Sequence, residues 1–274
     1  KGNLIFNFSI DTFSLKIRSF FDKFGMIVLL SVLAGISIYY YAHFYLSGLG
    51  LAYNDARSHL DIGRRVVEGL KPGLAQLGSV WLPLPHVLMV PTVWNDFMWH
   101  SGLAGAIQSM ISFVATGVII FMFLKMLGAG MIARIAGVSI FVANLNVLYL
   151  QSTAMTELLL LATMTAGIYK LVLWHKDNNI ISLIHSAFFI MLSTLVRYEG
   201  WFLLLVASGL ISLQTFRTRG YKTAEGTVIL FGTLAAFGIA SWLLWNLLIF
   251  KDPLYFAFGP FSARAQQLQL EEAG

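Results

Sequence analysis

Residues 26–47 read MIVLLSVLAGISIYYYAHFYLS, 22 residues without Asp, Glu, Lys or Arg. Coiled as a helix at about 1.5 Å per residue, this run spans the ~30 Å hydrocarbon core of a bilayer. It is too long for the apolar core of a secretory signal, and no small-residue cleavage pattern follows, so it reads as an uncleaved anchor. Upstream, Phe13, Ile17, Phe20, Phe21 and Phe24 share one helical face, with Lys16, Arg18, Asp22 and Lys23 off it. That pattern predicts an interfacial helix lying on the membrane.

Downstream, further apolar runs fall near 103–124, 131–150, 156–174, 180–196, 201–215 and 228–250. Polar breaks separate them at Gly128 and Gly130, at His175–Asn179 and at Arg217–Gly226. The chain is 58% hydrophobic and 11% charged, with mean hydropathy +0.76. Soluble domains carry about 25% charged residues. The expected fold is therefore an all-α polytopic membrane bundle of about seven transmembrane helices, one domain over residues 1–274. With no cysteine, disulfides, thiolate catalysis and cysteine metal sites are excluded. The net charge of +5 sits mostly in loops beside the spans, so it points to topology rather than to nucleic acid. A chain that starts on Lys1 and stops just after a charged segment is expected to be a piece of a longer one, truncated at its C-terminus.

Seven spans with the N-terminus inside put eleven of eighteen basic residues on the cytoplasmic side, among them Lys125, Arg134, Lys176, Arg217 and Lys222. The positive-inside rule then makes residues 48–102 a large extracytoplasmic loop. Nine of thirteen acids fall on that same outer side, an asymmetry the rule does not require.

Within that loop, Tyr53–His100 holds four of the thirteen acids, four of the eighteen Lys/Arg, three of the six histidines and four of the six prolines. Polar chemistry gathered in one loop of an apolar chain marks the place to look for function. Asn54 to Leu70 predicts a short juxtamembrane helix, capped by Asn54 or Asp55 and ended by Pro72-Gly73. Its apolar face would be Leu60, Gly63, Val67 and Leu70, with Asp61–Arg65 and Arg64–Glu68 as ion pairs one turn apart. Asp55 and His59 share a face, with Arg57 close by. Asp55 there is either a cap or an ionised acid beside amides that hold a phosphate. Gln76 to Pro91, with Trp81 and His86, is too proline-rich for one uninterrupted helix. It is either a headgroup anchor or the wall of a lipid or sugar site.

Two more acids stand at the outer level. Glu157 opens the fourth span after Thr156, and Glu199 lies in Arg197-Tyr-Glu-Gly-Trp201 between spans five and six. Each alone fits a local role, Glu157 as a first-turn acid and Glu199 as a partner of Arg197. Three acids recurring after spans one, three and five favour a shared hydrated pocket of Asp55, Glu157 and Glu199. A divalent cation such as Mg or Mn on Asp55 with Glu157 or Glu199 suits that oxygen-only set. Arg57, Arg64, Arg65, Arg197 and Lys251 are the outer cations available to a phosphate.

In order and spacing, Tyr53-Asn-Asp-Ala-Arg-Ser-His59, Gln76-Leu-Gly-Ser-Val-Trp-Leu-Pro-Leu-Pro85, Met155-Thr-Glu157, Arg197-Tyr-Glu-Gly-Trp201 and Lys251-Asp-Pro-Leu-Tyr-Phe256 resemble polytopic glycosyltransferases of the C-type fold. The nearest branch is that of protein O-mannosyltransferases and the aminoarabinose transferases that modify lipid A. The resemblance spans about residues 26–265 and rests on short motifs in order. It implies an inverting hexosyl- or pentosyltransferase of the inner or plasma membrane that moves a sugar from a polyprenyl-phosphate carrier to a glycan, lipid or protein acceptor at the outer face. It makes Asp55 the base or an acceptor-orienting acid; where many relatives carry Asp-Glu, this chain has Asp55-Ala56, so the resemblance does not carry over any role of that second acid. The expected donor-site residues are Arg57, His59, Arg64, Gln76, Trp81, His86, Arg197, Tyr198 and Lys251. A transporter or lipid flippase whose outer acids line a path is the competing reading, though no half-repeat supports it. A non-catalytic scaffold is a third.

Overall fold

The computed structural model describes residues 3–273, with side chains for residues 24–269 and for Glu271. The regular structure of the described residues is all helix, and no strand occurs among them. The first helix, α1 (Asn3–Leu46), runs unbroken through the expected anchor. The interfacial face expected from Phe13 onward lies, except for Phe24, outside the described side chains.

The large loop folds into three short helices. They are α2 (Asn54–Val67), α3 (Leu84–Val93) and α4 (Asp96–His100), with a single 3-10 turn at Leu74–Leu77. The bundle follows as α5 (Leu103–Met126), α6 (Met131–Val142), α7 (Leu145–Leu150), α8 (Glu157–Asp177), α9 (Ile180–Thr194), α10 (Glu199–Arg219) and α11 (Tyr221–Phe250). Two short helices, α12 (Tyr255–Phe258) and α13 (Ala263–Ala273), close the chain.

Five helices are long and apolar enough to cross a bilayer: Phe24–Leu46 within α1, α5, α8, α10 and α11. They bury only 11–44% of their most apolar windows inside the protein. Surfaces that leave Ile140 75%, Leu205 70% and Ile111 65% exposed require lipid around them.

The other two expected spans are shorter. Residues 131–150 break at Asn144, whose side chain caps α7 by accepting from the Asn146 and Val147 amides at 3.0 and 3.3 Å. α9 has 15 residues, about 22 Å of helix against the ~30 Å of hydrocarbon. Both segments still connect opposite ends of the bundle. Lys176 at the end of α8 donates to the Met126 carbonyl at the end of α5, which fixes the far end. Tyr149 donates to the Leu49 carbonyl, which brings α7 to the end that carries the loop.

Three apolar clusters hold this arrangement. One joins α8 to α11 around Leu183, Ile190, Ile211 and Phe231. A second packs α1, α5 and the α6–α7 pair around Leu33, Phe113 and Leu158. The third seats α2 and α3 on the loop end through Ala56, Leu60, Met89, Ala104, Ala154 and Met155. A buried amide pins the middle of the chain. Gln151 accepts from Ser37 Oγ at 2.5 Å and donates to Ser152 Oγ at 2.6 Å, tying α1 to the link that precedes Glu157.

Candidate functional site

Four segments meet at the loop end: residues 54–86, the link 151–157, the turn 194–201 and the end of α11. The contacts that join them are specific. Ser109 Oγ donates to the Met155 carbonyl at 2.9 Å. The Leu84 amide donates to the Leu195 carbonyl at 3.0 Å. Tyr198 donates to the Val80 carbonyl at 2.8 Å, and Trp245 to the Gly78 carbonyl at 3.3 Å. Two glycines allow the close approach. A Cβ on Gly105 would sit 2.7 Å from the Ala154 Cα, and one on Gly200 would lie 2.7 Å from the Thr194 amide nitrogen. Gly105 thus lets α5 rest on the 151–155 link, and Gly200 lets α10 start directly against the last turn of α9.

At the centre is Arg197. Its Nη1 donates to Glu157 Oε1 at 3.0 Å, and its Nη2 donates to Glu199 Oε1, also at 3.0 Å. Both expected local roles therefore merge: Glu199 is indeed Arg197's partner, and Glu157 shares the same guanidinium. The other oxygen of Glu157, Oε2, is buried and has no hydrogen-bond partner among the described residues.

Beside this cluster lies a histidine pair. His59 Nδ1 is 2.8 Å from His86 Nε2, and both rings are buried. The Trp81 ring lies 4.3 Å from the His59 ring, centroid to centroid. Burial pushes His59 down to about 4, helped by the positive field of Arg197. Burial also pushes His86 down to about 3, with His59 the next cause. Both rings are neutral at physiological pH, so one nitrogen of the facing pair donates and the other accepts. Tyr198 closes the side, stacked on Phe256 at 5.5 Å. Burial raises its phenol to about 12, so it acts as a neutral donor.

Asp55 lies apart from the Arg197 cluster in contacts. It is exposed in the first turn of α2, while His59, one turn on, is buried. The N-cap position belongs to Tyr53 and carries no side-chain cap, so the expected capping by Asn54 or Asp55 does not occur. Of the four acids in residues 53–100, Asp55 is the one with no ion pair or side-chain hydrogen bond among the described residues. Asp61 pairs with Arg57 at 3.3 Å rather than with Arg65, Glu68 pairs with Arg64, and Asp96 pairs with Arg64 at 2.6 Å.

Those pairs also change the reading of the expected phosphate cations. Arg57 and Arg64 lie 4.2 and 4.9 Å from the Trp99 ring, and Trp99 Nε1 donates to Asp61 at 3.0 Å. Arg64 further donates to the Val93 and Trp94 carbonyls. Both arginines clamp α4 onto α2. Trp99 is the residue that sequence reasoning missed, since nothing in the 94–100 stretch says that it folds back. Arg65 and Lys251 are exposed and have no carboxylate partner among the described residues; Lys251 Nζ donates to the Leu248 carbonyl at 3.0 Å. Gln76 serves the loop itself, donating to the Lys71 carbonyl.

The expected apolar face of α2 also shifts. The helix ends at Val67, Leu70 lies beyond it in solvent, and the buried stripe is Ala56, His59, Leu60, Gly63 and Val66. Among the described residues no group of three or more His, Asp or Glu is placed to hold a metal ion. No ion pair or hydrogen bond joins Asp55 to Glu157, the pair expected to hold Mg or Mn: Asp55 is exposed on α2, and Glu157 Oε1 is held by Arg197.

No protein-family model, curated protein or solved structure matches this chain.

Proposed function

We propose that the chain is a membrane glycosyltransferase. It takes a sugar from a polyprenyl-phosphate carrier and passes it, with inversion, to a hydroxyl acceptor at the extracytoplasmic face. One observation carries this reading: Asp55 is the uncommitted carboxylate of the loop end, one helical turn before a buried histidine that feels the field of Arg197.

The chemistry follows from those positions. Asp55 takes the proton of the acceptor hydroxyl, whose oxygen attacks the anomeric carbon. The bond from that carbon to the phosphate oxygen breaks, and the carrier leaves as a phosphate. A phosphate is already a good leaving group, so no strong general acid is required. Arg65 and Lys251, two outer cations without a carboxylate partner among the described residues, are the groups that would meet its charge. The Glu157–Arg197–Glu199 cluster, with Trp81, His59 and Tyr198, would hold the sugar. No step is routed through a metal.

Photo-crosslinking tests the placement. A polyprenyl-phosphate sugar bearing a photoreactive group is expected to label residues 54–86 or 194–201, and excess unlabelled donor should remove the signal. Labelling confined to the far end, near Met126 and Lys176, would sink the assignment.

A further inference from the structure

The α3 helix has two unlike faces. Pro85, His86, Met89 and Val93 are buried, packed toward α2 and α5. Val87, Leu88, Pro91 and Trp94 stand at i, i+1, i+4 and i+7 and are exposed, Leu88 at 45% and Trp94 at 64%. That spacing makes one apolar stripe along the helix. No Asp, Glu, Lys or Arg occurs between Lys71 and Asp96. Even the Trp94 indole N–H is used within the helix, donating to the Pro91 carbonyl at 2.8 Å.

Two further observations say what covers the stripe. First, α3 is held at the loop end. Its 10 residues make about 15 Å of helix, half of the ~30 Å of hydrocarbon, so it cannot cross. Both its ends are tied: the Leu84 amide donates to the Leu195 carbonyl, and Arg64 donates to the Val93 and Trp94 carbonyls. Second, the exposed surface continues onto a span. Phe97, just past Trp94, is 61% exposed, and its ring meets Tyr45 edge to face at 6.5 Å. Tyr45 and Leu46, 41% and 82% exposed, end the span within α1, whose outer surface lipid must cover. Trp and Tyr rings gather at that level of a bilayer.

We infer that α3 lies in the membrane interface at the loop end, with Val87, Leu88, Pro91 and Trp94 sunk into the leaflet there. Its partner is the lipid of that leaflet. The other face carries His86 against His59. One helix, about 10 Å across with its side chains, then separates lipid from the buried histidine pair. This inference does not rest on the transferase reading.

Site-directed spin labelling of the full chain in nanodiscs tests it, because no native cysteine competes for the label. Leu88→Cys and Trp94→Cys report from the stripe, Ile140→Cys from an exposed helix face of the bundle, and Leu70→Cys from the solvent-exposed loop. All four side chains are exposed, so the label fits without repacking. At 88 and 94, collisions with oxygen should exceed those with a water-soluble nickel chelate, as at 140, with the reverse order at 70. The ratio should place both stripe labels about 5–10 Å into the headgroup–acyl boundary. Nickel exceeding oxygen at 88 and 94 would overturn the inference by putting the stripe in water. Low access to both reagents there would overturn it as well, since a second copy or another protein segment would then be the cover.

Discussion

Arg197 reaches across forty residues of sequence to Glu157, with 3.0 Å between Nη1 and Oε1. It is the contact that makes a site of two helix starts. α8 and α10 each begin with an acid, and one guanidinium draws both toward the loop.

Removing that guanidinium is therefore expected to loosen the loop end. Arg197→Met leaves Glu157 and Glu199 facing each other with no cation between them. The side chains are about one-third to one-half exposed, so the loss is well below that of a fully buried pair, about 1–2 kcal/mol. Thermal unfolding in detergent measures it. Arg197→Lys should recover only part, since one ammonium cannot hold two carboxylates in the fork geometry. A melting temperature unchanged in Arg197→Met would show the cluster to be energetically idle.

The histidine pair predicts an acid-side loss of stability. Both imidazoles have depressed basicity in the fold, His59 near 4 and His86 near 3, against an ordinary value of 6.5. The unfolded chain then binds more protons than the folded one between about pH 6.5 and 3. Stability is full above pH 6.5 and falls as pH drops through this window, by on the order of 3 kcal/mol for His59 alone. Unfolding followed against pH should show this slope, and His59→Asn with His86→Asn should flatten it. A slope that survives both replacements must come from other groups.

Trp99 clamps the loop by lying against Arg57 and Arg64 and by donating to Asp61. Trp99→Ala removes two cation–π contacts and one hydrogen bond, about 2 kcal/mol of local stability. Limited proteolysis should then cut residues 94–102 sooner than in wild type, while the bundle core stays resistant. Equal cutting rates would mean that the clamp is not what holds α4.

Helix approach at Gly105 gives a sharper test of packing. Gly105→Ala drives a methyl into Ala154 and is expected to cost about 1–3 kcal/mol. Gly209→Ala, with nothing within 4 Å of the new methyl, should be neutral or stabilising by up to about 1 kcal/mol. Matching melting temperatures for the two variants would contradict the packing of α5 on the 151–155 link.

What the sequence disclosed follows from what each feature depends on. Long charge-free runs such as residues 26–47 declare helices because lipid forces every backbone group to bond within its own segment. The ion pair of Arg197 with Glu199 was legible because the two residues sit in one turn. The break at Asn144 was not, because one Asn in an apolar run either caps a helix or rides within it, and packing decides. Asp61 had Arg57 and Arg65 both one turn away, and only the position of Trp99 selects Arg57. The burial of His59 beside an exposed Asp55 was equally hidden. The two share a face by spacing, but α2 packs Ala56 and Leu60 into the cluster with Ala154 and Met155 and leaves Asp55 exposed.

The central claim is that this loop end transfers sugar from a lipid phosphate with Asp55 as base. The direct measurement is transfer from a radiolabelled polyprenyl-phosphate sugar by the purified chain in proteoliposomes, for wild type and Asp55→Asn. The account predicts transfer by wild type and a loss of about 100-fold or more in Asp55→Asn, with donor binding retained. Wild-type-level transfer by Asp55→Asn, or none by wild type that binds the donor, would contradict it.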